Sequence, residues 1–464
     1  MTSVSDPASA RQSRAITGQR VTPETRARLA ASPGAQRPPR SLALEWGPGD
    51  AAPVGRRPWH YAKHVSTGLN AAADQRVTRR HVRAAQREIL WHESHLERVR
   101  KCGRVPVGGT GHVLVRDNAD VAHYAGLATC GSIWACPVCS GKIRNTRADD
   151  ISQATAKWDR QGNAVYMATF TAPHDMGMRL RNLLPVIADG FRTVISGRAW
   201  VGESPSAYAK RVERWEDNGL HKGRPRPVRS TGIKERLGIV GTIRAMEVTY
   251  GAHGWHPHLH VLVYIEGEMN ARGLTELTLY LRKRWARFIV KAGYRVPHDT
   301  HGVQVQLCES AEEAGKYIAK TQDGRAVGNE IARGDLKQGR KESRTPFEIL
   351  DDFRWTGDAE DLAIWHEYES ATKGHQAITW SKGLRAILGA TDEKSDEDIA
   401  AEEIGGADLA LIPNDLWSAI VKVPGLSSCV LDSAERGGLD AINRLLSHHG
   451  LGPALPPEAL KYLE

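Results

Sequence analysis

His256-Pro-His-Leu-His-Val-Leu-Val-Tyr264, the stretch HPHLHVLVY, reads as one β-strand with two chemically different faces. Side chains alternate across a strand, so His258, His260, Leu262 and Tyr264 point one way, and Leu259, Val261, Val263 and Ile265 point the other. One face belongs to a core and the other to a site. Two imidazoles at i and i+2 carry polar nitrogens into a half-buried surface, and a shared metal ion would resolve that cost while acting as a Lewis acid. Ordinary hydrogen bonds to neighbours or water are the competing explanation for such a pair.

The flanking sequence supplies an architecture. AVYMATFTA (164–172) reads as a strand, and Leu183, Leu184, Ile187, Phe191, Val194 and Ile195 mark an amphipathic helix. Residues 238–250 and 257–265 form two strands around a Gly-rich turn at Gly251 to Trp255. Leu274, Leu277, Leu281, Trp285, Phe288 and Ile289 mark a second helix ending at Gly293, and Val303, Val305 and Leu307 alternate as a further strand. The order is βαββαβ, which predicts an α+β fold: a ferredoxin-like antiparallel sheet with its first and third strands side by side in the middle. The His strand is the third and should be central. Glu247, in RAMEVTY, lies on the strand paired with it, so Glu247, His258 and His260 form a candidate three-ligand site suited to Mn²⁺ or Mg²⁺. A solvated strand-end glutamate is the alternative for Glu247. Residues 198–236 are too long and charged for a simple connection and read as a basic insertion.

Four of the six cysteines fall between Cys102 and Cys139. CGSIWACPVC (130–139) places Cys130 upstream of a Cys136-x-x-Cys139 knuckle, and Cys102 could complete a four-thiolate shell for structural zinc across an apparent β-hairpin. His112 or His123 could serve as the fourth ligand instead, and reduced or redox-active thiols are the competing readings. Cys308 and Cys429 read as packing residues.

The chain has 464 residues, 41% of them hydrophobic and 25% charged, which suits a soluble protein of several domains. No apolar run or secretory signal is apparent, so a cytoplasmic location without membrane contact is expected. The net charge of +9 favours a polyanionic partner. Basic clusters lie at 76–87, 221–229, 282–287 and 333–344, and an acidic one at 392–403. Residues 1–75 read as a disordered basic arm, followed by a helix over about 78–100. The expected organisation is a basic helix with zinc module over 76–145, a core over 146–325, an extension over 326–390, and an acidic linker with a small helical tail over 391–464. No phosphate-binding Walker A loop occurs.

Ser310 to Lys320 (SAEEAGKYIAK) reads as a helix with Glu313, Tyr317 and Lys320 on one face at i, i+4 and i+7. Alone, these residues read as a surface Glu–Lys ladder with a packed tyrosine. Together, HPHLHVLVY, AGKYIAK, YMATFTAPH and CGSIWACPVC resemble the HUH rolling-circle replication initiators of bacterial plasmids, above all the single-tyrosine group of Gram-positive and actinobacterial plasmids. The resemblance covers roughly residues 100–385, with RTPFEIL and TKGHQAITWSKGL downstream. It implies a metal-dependent, site-specific endonuclease and strand transferase acting on single-stranded or cruciform plasmid origin DNA. Tyr317 would be the nucleophile forming a 5′-phosphotyrosine and freeing a 3′-hydroxyl primer. His258, His260 and Glu247 would hold the divalent ion, Lys320 would assist the phenol or position the phosphate, and Glu313 would activate water for the terminating cleavage. Host helicase and DNA polymerase are the implied partners. An HUH-type single-strand transposase and a non-catalytic zinc-dependent DNA-binding repressor are the alternatives.

Overall fold

The computed structural model describes residues 71–107, 111–217, 225–311, 314–315 and 343–462. Helix α1 (Ala71–Glu93) leads into a short helix, Glu97–Lys101, and a hairpin of β1 (His112–Asn118) and β2 (Val121–Ala125). Helix α2 (Pro137–Asp159) precedes β3 (Ala164–Thr171), α3 (Leu180–Val194), β4 (Ile239–Gly251), β5 (Gly254–Ile265), α4 (Ala271–Lys291) and β6 (Val303–Leu307). Beyond these come α5 (Pro346–Thr356), α6 (Ala359–Thr372), β7 (Ile378–Trp380), β8 (Ala407–Pro413) and α7 (Leu426–His448).

The fold is α+β, with two antiparallel sheets. The larger runs β6-β3-β5-β4-β7, so β3 and the His strand β5 are neighbours in its middle. Alternation on β5 sorts the side chains as its sequence requires. Phe170 of β3, opposite Leu259, meets Phe191 of α3 at 5.4 Å and Trp285 of α4 at 5.2 Å between ring centroids, both edge-on. Burying each of Leu259, Val261 and Phe170 contributes roughly 1.5–3 kcal/mol, and this face supplies much of the main core. Gly190 lets α3 approach α4, since a Cβ there would fall 2.6 Å from the Trp285 ring.

The opposite face carries the histidines. Helix α2 covers one end of it, where the Thr155 hydroxyl bonds the Tyr264 hydroxyl at 2.7 Å and Trp158 lies edge-on to the Tyr264 ring. Ala314 and Gly315 reach the same helix: Ala314 is fully buried, and a Cβ on Gly315 would collide with Ser152.

Three observations differ from the expected elements. The helix expected over 78–100 breaks after Glu93. Buried Ser94 turns its hydroxyl onto Glu369, whose second oxygen accepts from the His95 amide at 2.8 Å, so tertiary bonds replace helical ones. The core sheet gains a fifth strand, β7, from residues far downstream. The C-terminal residues, expected to be helical, also contain β8, which pairs with β1 in the smaller sheet β2-β1-β8. That sheet and α7 enclose a second core of Val113, Val115, Ile412, Trp417, Val430 and Leu446. Among the described residues, no helix is long and apolar enough to cross a membrane.

Candidate functional site

Pairing of β4 with β5 sets Glu247 opposite His258 and Ala245 opposite His260, while β3 sets Thr169 opposite His260 and Thr171 opposite His258. Directly opposed residues of antiparallel strands share a face, so the carboxylate and both imidazoles must converge. The hairpin turn is tight because Gly254 adopts φ +80°, and a Cβ there would come within 3.0 Å of Asp175 O and Met176 Cα.

Glu247 Oε2 lies 3.2 Å from His258 Nε2 and 3.1 Å from His260 Nε2, and the two nitrogens are 3.2 Å apart. Burial raises the Glu247 carboxyl, but hydrogen bonds and charge from the two histidines outweigh it and hold the group well below the usual carboxylate range. Three ligand atoms at these spacings can hold a metal ion. A hard cation about 2.1 Å from each donor, with donors near right angles, requires separations of about 3.0 Å, which the cluster matches. Hydrogen bonding alone fits less well: two Nε2–H groups aimed at one oxygen leave the N···N contact without a proton.

His256 lies on the same face, as its parity requires, but outside this cluster. Its Nδ1 meets His174 Nε2 at 3.2 Å, and His174 Nδ1 donates to Ala172 O at 3.2 Å. A carbonyl must receive a proton, so in the neutral pair His174 Nε2 accepts from His256 Nδ1–H. The His256 Nε2 lone pair is thereby left free to accept. Burial, with the imidazoles of His258 and His174 adding to it, pushes His256 down to about 3 and keeps it neutral. His174 closes the stretch YMATFTAPH, and its pattern alone assigns it no role. Thr169 was likewise missed: its hydroxyl lies 3.3 Å from His260 Nδ1. Strand alternation across the β3–β5 pairing is a signal for Thr169, whereas His174 lies beyond the end of β3 and carries no such signal.

Glu313, Tyr317 and Lys320 lie outside the described residues, as do residues 1–70 of the expected arm.

The second cluster is all sulfur. Cys102, Cys130, Cys136 and Cys139 are buried and unbridged, with their Sγ atoms within 4.8 Å of one another. Cys102 Sγ is 3.7 Å from Cys136 Sγ and 3.6 Å from Cys139 Sγ. A tetrahedral Zn–S distance of about 2.3 Å implies an edge of about 3.8 Å, so the thiols fit such an ion without moving far. Hydrogen bonds from Cys102, Cys130 and Cys136 hold Cys139 well below its ordinary value. Cys136 stands at the N-cap position of α2 with no side-chain capping bond, and hydrogen bonds with Cys102, Cys130 and Cys139, together with burial, push its own thiol well up. Cys102 is fixed by Trp91 Nε1 donating to its carbonyl at 2.9 Å. The cluster thus contains Cys102, whereas His123 turns away to Ile404 O at 2.8 Å.

Some basic residues are used internally. In the 76–87 cluster, Arg80 pairs with Asp432 at 2.7 Å and with Glu435, and His81 Nε2 meets Asp432 at 2.5 Å. In the 282–287 cluster, Arg282 donates to Val303 O and Arg284 to Thr193 O. Arg147 of α2 is held by Glu393 and Asp396 of the acidic segment.

The chain is 34% identical over 355 residues to Protein rep of Streptomyces lividans, an alignment covering 68% of this chain and 76% of that protein. The chain belongs to the Rep family of plasmid replication initiators. A second relative, the Neomycin resistance protein of Streptomyces cyanogenus, is 35% identical over 160 residues, which is 34% of this chain and 35% of that one. No family model matches the chain, and no solved structure matches it. For a Rep protein, the two clusters concentrate metal-binding capacity in two settings: four buried sulfurs in one, and a carboxylate with two imidazoles, largely buried on the central strands, in the other.

Proposed function

We propose that this Rep protein is an HUH-type rolling-circle initiator that nicks one strand of its plasmid origin and holds the cut end on Tyr317. The observation that carries this reading is the convergence of Glu247 Oε2, His258 Nε2 and His260 Nε2 at 3.1–3.2 Å on adjacent central strands. The order β3-α3-β4-β5-α4-β6 supports a ferredoxin-like HUH core over residues 146–325. A Mn²⁺ or Mg²⁺ ion on these three residues would polarise the scissile phosphate.

The chain's own groups carry the rest. The Tyr317 oxygen attacks phosphorus, the bond to the 3′ oxygen breaks, and the products are a 5′-phosphotyrosine and a 3′-hydroxyl that primes host polymerase. A free phenol titrates near 10, so positive charge from Lys320 favours its ionised form or positions the phosphate. Glu313 then accepts a proton from water at termination, so the second cleavage is hydrolytic. The four cysteines form a structural zinc site, since a closed thiolate shell leaves no position for chemistry. Surface arginines and lysines supply phosphate contacts to single-stranded or cruciform origin DNA, and a host helicase opens the duplex ahead.

The test is incubation with Mn²⁺ or Mg²⁺ and single-stranded origin DNA, followed by peptide mapping of covalently bound 5′ phosphate. Tyr317→Phe should abolish nicking and covalent capture, whereas Glu313→Gln should nick and fail to terminate. Capture on any other residue would overturn the assignment. DNA binding without cleavage would instead identify a zinc-dependent repressor.

A further inference from the structure

Metal-binding imidazoles keep one nitrogen for the ion and use the other to hold the ring in place. The two candidate ligands on β5 differ in that second bond. Each faces a threonine of β3 across the same antiparallel pairing, Thr169 opposite His260 and Thr171 opposite His258. Thr169 Oγ1 lies 3.3 Å from His260 Nδ1. His258 Nδ1, in contrast, is buried with no hydrogen-bond partner among the described residues.

We propose that Thr169 is the positioning residue of this site, fixing the His260 ring so that Nε2 faces Glu247 and His258, and that Thr171 has no such role. The inference rests on the reading that this cluster holds a divalent ion. With Nε2 engaged, Nδ1 carries the imidazole proton and the Thr169 hydroxyl accepts it. His260 is 7% exposed, so little water can substitute for the hydroxyl. Valine at position 169 keeps the β-branched shape of threonine and removes the hydroxyl that this N–H meets. His258 has no such bond to lose, and its placement depends on Glu247 and on its own packing. The site is thus anchored on its β3 side through the Thr169 hydroxyl.

The test uses the full-length, zinc-loaded protein titrated with Mn²⁺, with the free ion followed by electron paramagnetic resonance. Thr169→Val should weaken binding by about 10–100-fold. Thr169→Ser should recover most of that loss, and Thr171→Val should bind as the unaltered protein does. Unchanged affinity in Thr169→Val, or equal losses in Thr169→Val and Thr171→Val, would overturn the proposal. Failure of the underlying reading looks different: Mn²⁺ would then bind the unaltered protein and the His258→Ala/His260→Ala protein alike, which removes both claims.

Discussion

The two metal-capable clusters show contrasting ways for a chain to gather ligands. Three of the four thiols lie within ten residues, and the fourth, Cys102, is brought in across the β1–β2 hairpin, whose base is closed by Gly103 N to Ala128 O. The Glu247, His258 and His260 cluster depends on strand register, because a slip of one residue in β4 against β5 would turn the carboxylate to the opposite face. The first cluster is fully buried and offers four sulfurs. The second is only partly buried and mixes nitrogen with oxygen.

The contrast breaks most severely through the sulfur cluster. Cys136→Ser, or zinc removal by a chelator, should unfold the segment around residues 97–145, because structural zinc in small modules supplies on the order of 10 kcal/mol; circular dichroism and proteolysis would report it. A variant that keeps its melting temperature would show that the thiols need no ion. The double variant His258→Ala/His260→Ala should behave oppositely. Nicking should fall by about 10³-fold, the scale of losing a principal electrostatic contribution, while the melting temperature changes little. A large drop in melting temperature would make those histidines structural. Of the three changes, Trp417→Ala should disturb the two clusters least. It empties a site in the second core and removes a 2.9 Å bond to Arg104 O, costing about 3–5 kcal/mol. Because Arg104 follows Cys102 closely, zinc release should quicken; unchanged release would separate that core from the sulfur cluster.

Much of the larger sheet was legible because its strands alternate cleanly and its helices repeat at 3.6 residues. Glu247 could be placed beside the histidines once the hairpin turn at Gly251 and Gly254 was recognised. The β1–β8 pairing could not be read in the same way. Arg116 and Asp408, which meet at 2.6 Å, are 292 residues apart, and local pattern carries no information over that separation. Short β7 was hidden for a similar reason, since three residues define no period. The helix break at Ser94 required knowledge of Glu369, and the role of Thr169 required the β3–β5 register. Side-chain chemistry was visible early, whereas partners depended on topology.

The pairing of β1 with β8 has a consequence for how the chain is made. Strand β1 emerges from the ribosome long before β8, and until residues 407–413 are synthesised Val113 and Val115 lack the neighbours that bury them. Domains otherwise tend to fold in order of synthesis. Here an early hairpin must wait, exposed, for a late strand. A product of interrupted translation would therefore carry the His strand of β5 but leave that hairpin unsheltered, offering cellular proteases a means of clearing it before it reaches DNA.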